Sequence, residues 1–244
     1  MKNERKQMNH TQAVVLFMVL TVTLHVLGFK VNGSIRGSDL VSAYLDYGSK
    51  ILGLILVLEM LLFSRFMPMK FRKNALSLNG KNDMMSLLLN GIIALAIVAG
   101  LFGFRLYMNA KNPIYCEIPF FGLYLNVHTR WLYPFGIVFQ EFFIKSFTQE
   151  NISSMLRDTD KDGKEGEKKL RPLLTALITA MFFFVLHLQY PLYYMCGAFL
   201  LCFVTGLLYE KDRNVWGAVM IHFAVGFMPR CLGILQIIED YPVK

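Results

Sequence analysis

The amino-acid sequence predicts an all-α protein, a polytopic transmembrane helical bundle of about seven spans. Three observations carry that reading. Apolar residues make up 55% of the 244 residues, above the roughly 45–50% usual in soluble domains. They gather in long runs almost free of charge, as crossing a hydrocarbon layer with about 20 residues requires. The basic residues fall mainly between those runs, as they do in the cytoplasmic loops of polytopic proteins. This placement also accounts for the net charge of +8, so no nucleic-acid partner is expected.

Met1–Gln12 is polar and basic. Ala13–Phe29 forms the first span, with His25 inside it. It lacks a small-residue cleavage site and more spans follow, so it reads as an anchor rather than a removed signal. Lys30–Lys50 reads as a mixed loop. Ile51–Phe63 is the second span, and Glu59 is its one acid. Arg65–Lys81 carries five basic residues and no acid. Met84–Phe104 is the third span, followed by a long loop, Arg105–Arg130, rich in Asn, Pro and aromatics. Trp131–Phe147 is the fourth span and Thr148–Arg171 a charged loop. Leu173–Leu188 and Leu192–Tyr209 are the fifth and sixth spans. Only Gln189, Tyr190 and Pro191 join them, which makes them antiparallel neighbours. Val215–Ile238 is the seventh, with an expected interruption at Pro229-Arg230. No internal repeat is visible, and residues 1–244 read as one integral membrane domain.

Orientation follows from Lys and Arg. With the N-terminus inside, the inner segments hold about twice as many as the outer ones. The chain is therefore expected in the cell membrane with a cytoplasmic N-terminus and membrane lipid as its first partner. Trp131 and Tyr133 read as outer interfacial anchors and Trp216 as an inner one. Cys116, Cys196, Cys202 and Cys231 show no CxxC spacing, and the last three read as small core residues in apolar runs. They give neither a zinc site nor a disulfide framework. Asp158, Asp160, Asp162 and Gly163 open like a calcium loop, but the twelfth position needs a bidentate Glu and holds Lys169. A solvated loop is the better reading, and no metal or cofactor is expected.

The polar groups within the spans are the candidate site. A charge at the centre of a spanning helix costs roughly 2.5–3.5 kcal/mol on insertion scales, so such residues face a bundle interior or a wet cavity. Gln140, Glu141 and Lys145 lie in the fourth span. Glu141 and Lys145 are four apart with the acid first, the better order for a helical ion pair, and mutual neutralisation is the simplest account of both. Phe183 and His187 lie on the fifth span, and His222 and Gly226 one turn apart on the seventh. A lone buried His is more often a hydrogen-bonded core residue than a catalyst. Two, with a carboxylate on a third helix, favour a site.

These motifs carry a resemblance. Gln140-Glu141-Phe-Phe-Ile-Lys145, then Phe183-xxx-His187, then His222 with Gly226 resemble, in order and spacing, the motifs of the CPBP family over about residues 131–228. That family comprises intramembrane glutamic endopeptidases of the CAAX prenyl protease and bacteriocin-processing (Abi-like) type. Its pattern is Glu-Glu-xxx-Arg, Phe-xxx-His and His-xxx-Asn. The resemblance implies that position 140 should carry the base that activates a water, helped by His187. It also implies that His222 and position 226 should hold the oxyanion. Here Gln140 replaces Glu, Lys145 replaces Arg and Gly226 replaces Asn. A lost general base costs about 10²–10⁴ in rate and a lost oxyanion donor about 10²–10³.

The sequence therefore points to a family-like scaffold with weak or no proteolysis. It would bind a membrane protein or peptide in a regulatory or immunity-type role. The alternative is an active endopeptidase with a rearranged site, in which Glu59 supplies the carboxylate or a zinc ion joins His187 and His222. An unrelated carrier or channel is the third reading, though the inverted repeats of many carriers are missing.

Overall fold

The computed structural model describes residues 8–35, 40–72, 74–77, 81–121, 127–159, 165–188, 190 and 192–240. Its regular structure is helical throughout the described residues: α1 (His10–Ile35), α2 (Leu40–Phe66), α3 (Lys81–Lys111), α4 (Val127–Glu141), α5 (Glu150–Thr159), α6 (Glu165–Val185), α7 (Leu192–Asp212), α8 (Val215–His222), α9 (Met228–Cys231) and α10 (Ile234–Asp240). A 3₁₀ turn spans Pro113–Glu117, and π-helices span Phe142–Gln149 and Phe223–Phe227. The all-α expectation holds. Among the described residues, three stretches are long and apolar enough to cross a membrane: His10–Gly28, Met84–Lys111 and Leu192–Asp212. These correspond to the first, third and sixth expected spans. Val215–Cys231 is a shorter apolar stretch.

The chain divides into two compact units, Met1–Lys73 with Phe143–Glu210, and Asn74–Phe142 with Lys211–Lys244. The first unit is built around Phe17 of α1. Its fully buried ring lies 5.3 Å from Phe63 of α2, 5.4 Å from Phe147 of the first π-helix and 6.0 Å from Phe182 of α6. Aromatic pairs at such spacings add to the burial of their large apolar area. α6 and α7 run antiparallel, as their short connection requires. Gly206 lies against Ala176 at one end, while Met181 and Val185 share an apolar groove with Cys196 and Leu200 at the other. Small residues permit this close approach of two helices.

The second unit is built on α3, α8 and the segments after α8. Asn214 caps α8, its side-chain oxygen accepting the Trp216 backbone N–H at 2.8 Å. Its amide nitrogen donates to Ser77 O at 2.9 Å, and Val215 N donates to Ala75 O at 3.0 Å. Gly217 is packed so closely on Asn90 of α3 that a β-carbon there would displace the Asn90 amide. Arg105 is fully buried. It donates to the carbonyls of Leu232 at 2.9 Å, Tyr115 at 3.1 Å and Ile118 at 2.8 Å, and to the Asn109 side chain. A guanidinium has five donors in a fixed fork, and here it fastens α3 to two stretches of irregular backbone.

Several boundaries differ from expectation. The 30–50 stretch is helical through Ile35 and again from Leu40. Arg105 lies inside α3, not in a loop, because α3 continues to Lys111. The charged stretch after the fourth span is helical to Thr159 and again from Glu165. The calcium-loop look-alike falls largely outside the described residues. The seventh span does not break at Pro229, which occupies the first turn of α9, where its missing N–H costs nothing. The break comes at Leu232-Gly233, where Gly233 takes φ 66°, a left-handed conformation open to glycine. Cys196 is exposed rather than in the core, whereas Cys202 is buried and Cys231 half-buried.

Candidate functional site

Tyr133, Ile137 and Glu141 recur every four residues on α4 and so share one face. Ile137 is buried against Phe227, with Tyr133, Val219 and Phe223 packed around the pair. That apolar contact seats the face on α8 and the second π-helix. At its end the buried carboxylate of Glu141 accepts a hydrogen bond from His222 Nδ1 at 2.7 Å. A carboxylate can only accept, so Nδ1 carries the proton and Nε2 points away. The same logic orients imidazoles in catalytic dyads and metal sites. Neutral, His222 offers Nε2 as a base; protonated, it offers an N–H to an oxyanion.

Glu141 is the last residue of α4 and His222 the last of α8, and a π-helix follows each. Such widened turns are rare and frequent at functional sites. The change of pitch after Glu141 also removes the α-helical i,i+4 geometry on which the expected Glu141–Lys145 ion pair depends. Lys145 is fully buried, and its ammonium donates to Cys202 O at 3.0 Å, with Cys202 Sγ at 3.4 Å. Gln149, four residues on, donates to Gly206 O at 2.8 Å. The π-helix is thus stitched to α7 by two side chains that reach two carbonyls four residues apart. The sequence expectation that Glu141 and Lys145 neutralise each other is corrected: Lys145 serves α7, and Glu141 serves His222.

Gln140, one residue before Glu141, is exposed. Successive helical residues point about 100° apart, so the amide and the carboxylate face different surroundings. His187 lies two residues beyond the end of α6, in a turn, and is half-buried. Its Nδ1 donates to Phe183 O at 2.8 Å, and its ring lies 4.4 Å from the buried Phe183 ring. The Phe-xxx-His spacing thereby acquires a physical meaning, since one residue supplies both a carbonyl and a ring to fix the imidazole. Gln140, Glu141, His222 and Gly226 belong to the second unit, and Lys145 and His187 to the first.

Gly226 sits in the second π-helix. A β-carbon on it would lie 2.9 Å from Tyr133 Oη, 3.1 Å from His222 Cδ2 and 3.4 Å from His222 Nε2. Tyr133, expected as an interfacial anchor, is instead half-buried and stacked on Phe227 at 5.8 Å, with the Arg230 guanidinium 5.9 Å from its ring centre. Sequence reading missed this residue, although its spacing of eight from Glu141 places it on the same helical face. Trp216 donates from its ring nitrogen to Leu76 O at 3.1 Å. Glu59 is buried and accepts from Thr21 Oγ1 of α1 at 2.8 Å, the inter-helix hydrogen bond that accounts for its place in an apolar helix. Among the described residues no three His, Cys, Asp or Glu side chains gather as a metal ion would require.

Neither curated proteins nor solved structures yield a match to the chain. A family model does. Residues 128–228, which run from the start of α4 to the end of the second π-helix, match the model described as type II CAAX prenyl endopeptidase Rce1-like, and this part of the chain belongs to the CPBP family.

Proposed function

We propose that this CAAX-protease-like membrane protein holds an apolar peptide or partner segment at the membrane and cleaves it weakly or not at all. Its role would be binding, regulatory or immunity-type. The observation that supports this most is the division of labour at positions 140 and 141. Gln140 is exposed and carries an amide, which cannot take a proton from water. The Glu141 carboxylate is engaged with His222 Nδ1. Gly226 adds no side-chain donor of its own. The chain would lie in the cell membrane with its N-terminus in the cytoplasm. Purified protein in nanodiscs, offered a library of quenched apolar peptides, should bind members of the library while releasing fluorescence at or near the background rate. Brisk release by the wild type would refute the proposal.

One observation favours an active enzyme. A carboxylate held on Nδ1 makes the opposite nitrogen of His222 a competent base. In that reading Glu141→Gln abolishes release and Gln140→Ala leaves it unchanged.

A further inference from the structure

Gly226 is an odd residue to find beside a buried imidazole. The family resemblance places an amide donor there, and a glycine offers none. The space is nevertheless not empty. The Tyr133 hydroxyl stands 2.9 Å from where a β-carbon of residue 226 would be, and His222 Nε2 stands 3.4 Å from the same point. A side chain at 226 and the phenol at 133 therefore exclude one another. Glycine at 226 is what admits the phenol.

We propose that Tyr133 supplies the hydrogen-bond donor missing at position 226, and that its O–H, together with His222, binds the carbonyl oxygen of a peptide. This deepens the reading of residues 128–228 as a peptide-holding scaffold and rests on it. Tyr133 suits the task in three ways. A phenol both donates and accepts, so it can turn its proton to a carbonyl. Its ring is held by stacking on Phe227, which itself lies 4.7 Å from Phe223 in the π-helix. The hydroxyl is therefore positioned before any ligand arrives, as an effective donor must be. The Arg230 guanidinium near the ring attracts the negative face of the aromatic system and draws charge from the phenol, which strengthens the O–H as a donor.

The test uses the full-length protein in nanodiscs and a matched pair of probes, an apolar tripeptide aldehyde and the corresponding alcohol, which lacks the carbonyl. Wild type should bind the aldehyde more tightly than the alcohol. Tyr133→Phe keeps the ring and its stacking, so it should melt within a few degrees of wild type. It should bind the aldehyde about three- to tenfold more weakly, the effect of one neutral hydrogen bond, and bind the alcohol unchanged. Adding Gly226→Asn to Tyr133→Phe should recover aldehyde affinity, because removing the hydroxyl makes room for the new side chain. Equal aldehyde affinity in wild type and Tyr133→Phe overturns the proposal, as does a wild type that does not distinguish the two probes. Turnover by Gln140→Glu is read separately. If it rises while Tyr133→Phe has no effect on the aldehyde, only the donor is wrong. If neither responds, the scaffold reading falls with it.

Discussion

At the scale of single residues, the account turns on which partner each buried polar group takes. Glu141 is bound to His222 and Lys145 to the Cys202 carbonyl, so the two share no partner. Double-mutant cycles read this directly. Glu141→Ala and Lys145→Met should each destabilise the protein in detergent melts, with a coupling energy below about 0.5 kcal/mol. Glu141→Ala and His222→Ala should couple by about 0.5–3 kcal/mol. A larger coupling in the first cycle than in the second would restore the ion pair that the sequence suggested. The sequence could not make this choice, because i,i+4 spacing implies a pair only if the helix keeps its pitch, and here it widens at Phe142. Arg105 was hidden for a related reason. An arginine at the end of an apolar run reads as a loop residue until the helix is seen to continue past it. Replacing it with Met strands several carbonyls at about 1–3 kcal/mol each, and Arg105→Met should express poorly or melt much earlier than wild type.

At the scale of elements, apolar runs made the helices legible, whereas the places where they change pitch or stop were not. Runs of Phe, Leu and Ile mark α1, α3 and α7 plainly. The π-helices carry no such signature, since their cause lies in the contacts around them: Lys145 and Gln149 reach for α7, and Phe227 packs on Ile137. Pro229 misled in the opposite way, because a proline in a first turn is a helix start and not a break. The contact of α6 with α7 offers a clean test. A β-carbon on Gly206 would lie 3.2 Å from both Ala176 Cβ and Gln149 Oε1. Gly206→Val must therefore push the helices apart or break the Gln149 hydrogen bond. It should cost about 1–3 kcal/mol, the usual range for overpacking, measured as a lower melting temperature. A variant as stable as wild type would show that the two helices do not meet there.

At the scale of the whole molecule, the order of motifs along the chain was enough to indicate the family, and the family model falls on nearly the same residues. Chemistry was less legible, because motif letters do not say which of two adjacent residues faces the histidine. Orientation follows from the basic loops. Cysteines introduced within Arg65–Lys81 and Thr148–Arg171 should resist an impermeant maleimide in intact cells, and rapid labelling at both would reverse the topology. The central claim is that the scaffold is complete enough to bind and lacks a base at position 140. The most direct measurement is the turnover of a membrane-proximal peptide by wild type, Gln140→Glu and Gln140→Glu with His187→Ala, all in nanodiscs. The account predicts little or no cleavage by wild type, measurable cleavage by Gln140→Glu, and loss of that gain with His187→Ala. A wild type that turns over well and is slowed by Gln140→Glu would contradict it.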